Sequence, residues 1–166
     1  AYKITFEALD KVFGKRSAGA PFTVYHTACY KGEMGTSRNY AVSSGDSITD
    51  YWSIADFDKS IYHLEVHGPN GFYRVFKGDT IHPLINLLCT YEKSIDGLAF
   101  TGRLAFTCTN EGDKAQRILF EDVSYGQEKK QILLKSKQTV TLHFDLSKQN
   151  FWYDFHITCE GFTNFK

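Results

Sequence analysis

Apolar and polar residues alternate with period two along most of the chain, the pattern of strands with one buried face. Tyr2, Ile4 and Phe6 alternate with polar neighbours. Phe22 and Val24 open a second run, and Tyr40 and Val42 mark a third. Ile48, Asp50 and Trp52 share one face of a fourth, on which Asp50 is the polar exception. Tyr62, Leu64 and Val66 form a clean strand that ends at His67-Gly68-Pro69-Asn70-Gly71. There proline presets φ and Asn-Gly tolerates positive φ, so Phe72 to Phe76 returns as the second arm of a hairpin. A second series follows from Leu84. Ile85, Leu87 and Cys89 lead to a turn at Ser94-Ile95-Asp96-Gly97, and Leu104, Phe106 and Cys108 lead to another at Asn110-Glu111-Gly112-Asp113. Ile118 to Val123, Ile132 with Leu134, Val140 to Phe144 and Tyr153 to Ile157 complete it. Only Phe6 to Phe13, closed by Gly14, has helix-like spacing, so one short helix is predicted there.

The two series match each other. Val42, Ile48 and Trp52 correspond to Leu134, Val140 and Phe144. Tyr62, Leu64 and Val66 correspond to Tyr153, Phe155 and Ile157, and Gly71-Phe72 to Gly161-Phe162. The offset drifts by single residues between these blocks, at turns, where deletions are tolerated. This register implies a duplication. The expected organisation is a first repeat over 1–80 and a second over 81–166, with the last strand of the second cut short. Such a chain reads as a piece of something longer.

Composition sharpens the fold class. The chain has 166 residues, with 14 Phe, 10 Tyr and 2 Trp against one Met and three Pro. That usage suits strands and disfavours helices. The expected fold is all-β: two tandem small antiparallel β-sandwich repeats of immunoglobulin-like kind. Lys plus Arg equal Asp plus Glu at 19 each, which argues against a nucleic-acid partner, since such binders cluster positive charge. No apolar stretch is long enough for a spanning helix, and no signal-peptide pattern is present.

Candidate chemistry is sparse. His63, Glu65 and His67 alternate along one strand face, opposite Tyr62, Leu64 and Val66; they span too far for one ion and read as a solvated face. Asp46, Asp50, Asp56 and Asp58 form a loose acidic group without calcium-loop spacing and read as turn carboxylates. The four cysteines make no C-x2-C pair. By parity Cys89, Cys108 and Cys159 fall among apolar neighbours, which favours buried thiols over disulfides and leaves the disulfide state open. No nucleophile elbow, phosphate loop or zinc-helix motif occurs. No cofactor, metal site or catalytic residue is expected. Tyr25, Tyr51, Tyr73 and Trp152 have outward parity and are the candidate binding residues, as exposed aromatics suit sugar, lipid or domain contacts.

The run Tyr62-His63-Leu64-Glu65-Val66-His67-Gly68-Pro69-Asn70-Gly71-Phe72-Tyr73-Arg74-Val75-Phe76-Lys77-Gly78 resembles the C-terminal repeat of bacterial phospholipases C of the phosphatidylcholine-hydrolysing, acid-phosphatase-like type. Phe6 to Asp10 with Arg16 to Phe22, and Arg38 to Val42 followed by Gly45-Asp46, resemble the same region. Phe151-Trp152-Tyr153-Asp154 is similar to the family's Gly-Trp-Tyr-Asp motif, with Phe151 standing in place of glycine. The resemblance implies a secreted or periplasmic parent with an N-terminal phospholipase catalytic domain in the same chain. Catalysis in that family lies in that domain, so no catalytic residue carries over. The expected function is a non-catalytic accessory region that supports the catalytic domain and meets the phospholipid surface. The alternative is a carbohydrate- or membrane-binding sandwich module without a hydrolase partner.

Overall fold

The structure, a computed structural model, describes residues 1–11, 14–96 and 99–166. It is all-β and divides into two units, Ala1–Ile81 and His82–Lys166.

The first unit is a sandwich of two antiparallel sheets. Strands β1 (Tyr2–Glu7) and β4 (Ser47–Trp52) form one. Strands β2 (Ala20–His26), β3 (Ser37–Val42), β5 (Tyr62–His67) and β6 (Tyr73–Gly78) form the other, in the order β3-β2-β5-β6. Alternation decides what faces inward: Ile4 and Phe6 from one sheet meet Val24, Leu64 and Val66 from the other. Trp52 is 0% exposed and rings pack round it, with centroids 5.1 Å away at Tyr30 and 6.2 Å at Phe57.

The second unit repeats the plan with a different edge. Strands β7 (Ile85–Lys93), β8 (Phe100–Asn110) and β11 (Thr139–Asp145) form one sheet, ordered β11-β8-β7. Strands β9 (Gln116–Asp122), β10 (Lys130–Leu134) and β12 (Phe155–Cys159) form the other, ordered β10-β9-β12. Its core is a nest of phenylalanines: Phe106 meets Phe120, Phe144 and Phe155 at 5.5, 5.7 and 5.3 Å between centroids.

Strand pairing gives the duplication a geometric form. Val24 lies between Arg38 and Val66, just as Phe120 lies between Lys130 and Ile157. Trp52 pairs with Tyr2 as Phe144 pairs with Leu104. The units differ at their margins. In the first, β6 flanks β5; in the second, no strand follows β12 among the described residues, and β7 flanks β8 instead.

The helix expected over Phe6 to Phe13 is corrected. Phe6 sits in β1 opposite Ile48. The pairing runs on through Ala8, whose N–H donates to the Asp46 carbonyl and whose carbonyl accepts from the Gly45 N–H. Backbone groups bound across strands cannot also close a helical turn. Beyond them only a 3-10 turn forms, at Gly14–Arg16; Val12 and Phe13 lie outside the described residues. The hairpin expected after Val66 is present, with Asn70 and Gly71 at φ 57° and 77°.

The depth of these cores sets their sensitivity. Leu64 is fully buried at the centre of the first unit. Leu64→Ala is expected to lower the unfolding free energy by about 2–5 kcal/mol, the range for a large core truncation. Urea denaturation measures it, and a change under about 0.5 kcal/mol, typical of surface sites, would show that the interior is not close-packed.

Candidate binding surfaces

The polar exception on β4 has a partner set. Asp50 points inward, and β3 supplies Arg38 and Tyr40 on the facing side. The Arg38 guanidinium donates from Nη1 to Asp50 Oδ2 at 2.8 Å, and the Tyr40 hydroxyl donates to the same oxygen at 2.5 Å. Burial pushes the Asp50 carboxyl up, but the hydrogen bonds from Tyr40, Arg38 and the Tyr51 N–H outweigh it and hold the group below its ordinary range. Arg38 also lies flat on the core: its guanidinium carbon is 3.9 Å from the Trp52 ring centroid and 5.6 Å from that of Tyr30. A cation so placed over an aromatic face is attracted by the ring quadrupole. The second unit repeats the device, with Lys130 Nζ 4.2 Å from the Phe144 centroid.

Beside Arg38 lies a cavity of about 270 Å³, lined by His26, Tyr30, Glu33, Thr36, Arg38 and Trp52 among others. His26 is buried. Its Nδ1 is 3.0 Å from the Ala28 carbonyl, which only accepts, so Nδ1 carries the hydrogen. The Thr36 hydroxyl is then the donor to Nε2. An aromatic-walled cavity suits a cationic ligand, but here the ring faces already hold the chain's own Arg38. The arrangement ties β2, β3 and β4 together, and its one hydroxyl–imidazole pair, Thr36 on His26, has its ring buried in the sandwich.

The outer face of the four-stranded sheet carries two of the expected binding residues. The His67 ring sits between Tyr25 and Tyr73, with centroids at 5.4 and 4.8 Å. The three form a row across β2, β5 and β6. His63 Nε2 approaches Glu65 Oε1 at 3.6 Å. Among the described residues no group of three or more His, Cys, Asp or Glu side chains is placed to hold a metal ion. The acidic group disperses likewise. Asp50 turns inward, Asp56 pairs with Lys31 at 3.6 Å, and Asp46 accepts from the Ser47 N–H.

The other two expected residues stand elsewhere. Tyr51 is exposed on β4, in the two-stranded sheet. Trp152 is exposed in the second unit, in the turn before β12. The second unit also exposes residues that alternation does not single out: Tyr91, Ile95, Phe100 and Phe151. Ile95 is in the turn beyond β7, where there is no parity to read, and Phe100, which opens β8, has the inward parity of Leu104 and Phe106. Phe151 lies between strands. Its signal was the departure from glycine, and its φ of 65° is a conformation that glycine adopts freely.

None of the four cysteines forms a disulfide among the described residues. Burial pushes the Cys108 thiol up to about 11, and burial with the Glu160 charge does the same for Cys159. Thiols so raised are poor nucleophiles near neutral pH.

Residues 3–79 match the family model of the bacterial phospholipase C, C-terminal domain. Over 167 aligned residues, 99% of the chain is covered at 29% identity by the non-hemolytic phospholipase C of Pseudomonas aeruginosa, of which it spans 23%. The non-hemolytic phospholipase C of Burkholderia pseudomallei is 31% identical over 120 residues, covering 72% of this chain and 17% of that protein. The chain therefore spans about a fifth of the length of the curated relatives it matches.

The Asp50 cluster generates a pH dependence. Its carboxyl titrates lower in the folded state than at the ordinary value of 3.8. Its stabilisation is therefore complete above that value and is lost as pH falls through the folded pKa. Between about pH 5 and about pH 2 the wild type is expected to lose more stability than Asp50→Asn, which has no charge to titrate. Urea midpoints across that range measure it; parallel losses in the two proteins would remove Asp50 from the acid response.

Proposed function

We propose that the chain, whose residues 3–79 match the family model of the bacterial phospholipase C C-terminal domain, is a non-catalytic accessory region of such an enzyme. It is joined in one chain to an N-terminal catalytic domain, which it supports. The parent works outside the cytoplasm, secreted or periplasmic, and the accessory region meets the phospholipid surface on which the parent acts.

The observation that carries this reading is the alignment: nearly the whole chain matches a phospholipase C, yet it spans 23% of that protein. The side chains agree. The Asp50 carboxylate is held by Arg38 and Tyr40, the His26 ring by Ala28 and Thr36, and the Cys108 and Cys159 thiols are suppressed by burial. These are groups that a catalyst would leave poised and accessible; here they serve packing. Tyr25, Tyr51, Tyr73 and Trp152 remain as exposed aromatics for contact. A sugar-binding module without a hydrolase partner draws no comparable support, since Trp52 has its face against Arg38 rather than open to a ligand.

Incubated with phosphatidylcholine vesicles, the purified chain is expected to release no phosphocholine. Fused to the catalytic part of a phospholipase C, it is expected to raise the midpoint of thermal unfolding by a few degrees, roughly what 1–2 kcal/mol does in a domain of this size. Hydrolysis by the isolated chain at a rate comparable to the whole enzyme would overturn the reading.

A further inference from the structure

We infer that the turn end of the β7–β8 hairpin, together with the Phe151-Trp152 turn, is the element of this chain that docks on a phospholipid surface. This rests on the accessory reading above and replaces its general surface of aromatics with one site.

The side chains are arranged in tiers. Ile95, in the turn just past β7, is wholly exposed. One step back Lys93 pairs in register with Phe100, which is 54% exposed. Further back Tyr91 packs edge-on against Phe100 and against Tyr153, with centroids at 6.0 Å in both cases. Tyr153 leads directly into the turn that carries Phe151 and Trp152, which are 57% and 58% exposed. The Phe151 ring lies over Gly102 of β8: a Cβ added at Gly102 would come within 2.7 Å of it. The Phe100–Tyr91–Tyr153 ring contacts and the Phe151 ring over Gly102 thus join the turn to the hairpin within the second unit.

Phe151 supplies an independent observation. It holds φ at 65° and follows Asn150 at 53°. A bulky side chain in the left-handed region is strained, and such strain persists where surrounding structure or function requires it. Here it projects a half-exposed aromatic ring at the hairpin's side.

The occupant follows from shape and charge. A stable protein partner buries roughly 800 Å² per side on a broad complementary surface, whereas this is a projecting hairpin end. An aliphatic tip backed by aromatic rings matches the depth profile of a lipid interface, where Trp and Tyr rest at headgroup level. Lys93 at the end of β7 and Lys148 in the 3-10 turn Ser147–Gln149 supply cations to the two segments, while Glu92 is answered by Arg103 at 3.4 Å and Asp96 accepts from the Ser94 hydroxyl. The two cations complement the phosphodiester anion that glycerophospholipids carry, as juxtamembrane lysines do. Gly97 and Leu98 lie outside the described residues.

The sequence provides its own reporter. It holds two tryptophans, of which Trp52 is buried and Trp152 exposed. Mixed with phosphatidylcholine vesicles containing phosphatidylglycerol, the chain is expected to co-sediment, with a blue shift in emission that disappears in Trp152→Phe. Ile95→Asp, at a site that touches no core, is expected to weaken partition about ten-fold, the effect of withholding one large aliphatic side chain from apolar contact. Phe151→Gly is expected to weaken partition while leaving the thermal midpoint unchanged or higher, a combination that a purely structural Phe151 does not give. The double variant Tyr25→Ala, Tyr73→Ala is expected to bind as wild type. Wild-type affinity in both Ile95→Asp and Phe151→Gly overturns the inference. If the Tyr25, Tyr73 variant alone is impaired, the site is wrong and the accessory reading stands. Failure of the wild type to co-sediment, including a case in which it binds only the rest of a phospholipase chain, overturns the lipid site. Hydrolysis by the chain alone would instead overturn the accessory reading.

Discussion

A β-sandwich of about eighty residues has little interior to fill, and the shortage of buried area governs this protein. Aromatic rings bury roughly 150–250 Å² each, more than aliphatic side chains. The first unit places Trp52 at the centre and ranges Tyr30, Phe57 and Tyr62 about it; the second stacks Phe106, Phe120, Phe144 and Phe155. Large rings leave ring faces to be covered at the sheet margin. A cation on the neighbouring strand covers them in both units: Arg38 on Trp52 and Lys130 on Phe144. The arginine brings a partly buried charge, and Asp50 answers it, with Tyr40 satisfying the same carboxylate oxygen. One packing need thus explains a polar residue on an inward face that otherwise breaks the pattern.

Much of this could be read from the chain. Period-two parity separates Tyr62, Leu64 and Val66, all buried, from His67, exposed on the opposite face. It also places Cys108 and Cys159 inside. The correspondence of Trp52 with Phe144 reappears as equivalent strand pairing. What parity could not give is the identity of partners between sheets. Arg38 has the inward parity of Val42, but a lone cation reads as solvated until a facing carboxylate is found. Helix-like spacing at Phe6 misled because periodicity over so few residues does not register that strand pairing, running on to Ala8, claims the backbone.

The candidate site was the less readable part for a related reason. Alternation has meaning only within strands, whereas contact residues collect at strand ends and turns held by a rigid scaffold. Trp152 was found through outward parity, yet its companions Ile95 and Phe151 lie where no parity exists. Within the first unit the expected aromatics also separate in space. Tyr25 and Tyr73 share a row with His67, while Tyr51 stands on the other sheet of the same unit. A row of edge-on rings over a flat sheet face satisfies itself. Tyr25 and Tyr73 each pack against His67, which reduces what either ring would gain by leaving water.

The second unit lacks that self-satisfaction at its hairpin end. Tyr91 and Tyr153 face each other, but Phe151 and Trp152 remain more than half exposed, and backbone strain at Phe151 works against keeping an aromatic ring there. Left-handed backbone disfavours any side chain with a Cβ. A glycine would relax it, and the ring's contact with Gly102 recovers little because that position offers no side chain to pack against. Gly102 itself holds φ at 81°, a conformation that favours glycine, and a Cβ there would also collide with the ring. One position, Phe151, is therefore set against its local preference, and its ring rests on a glycine that the backbone itself requires. Stability of the unit gains little from this arrangement, whereas a surface that must hold apolar groups at a fixed depth gains a rigid support for them.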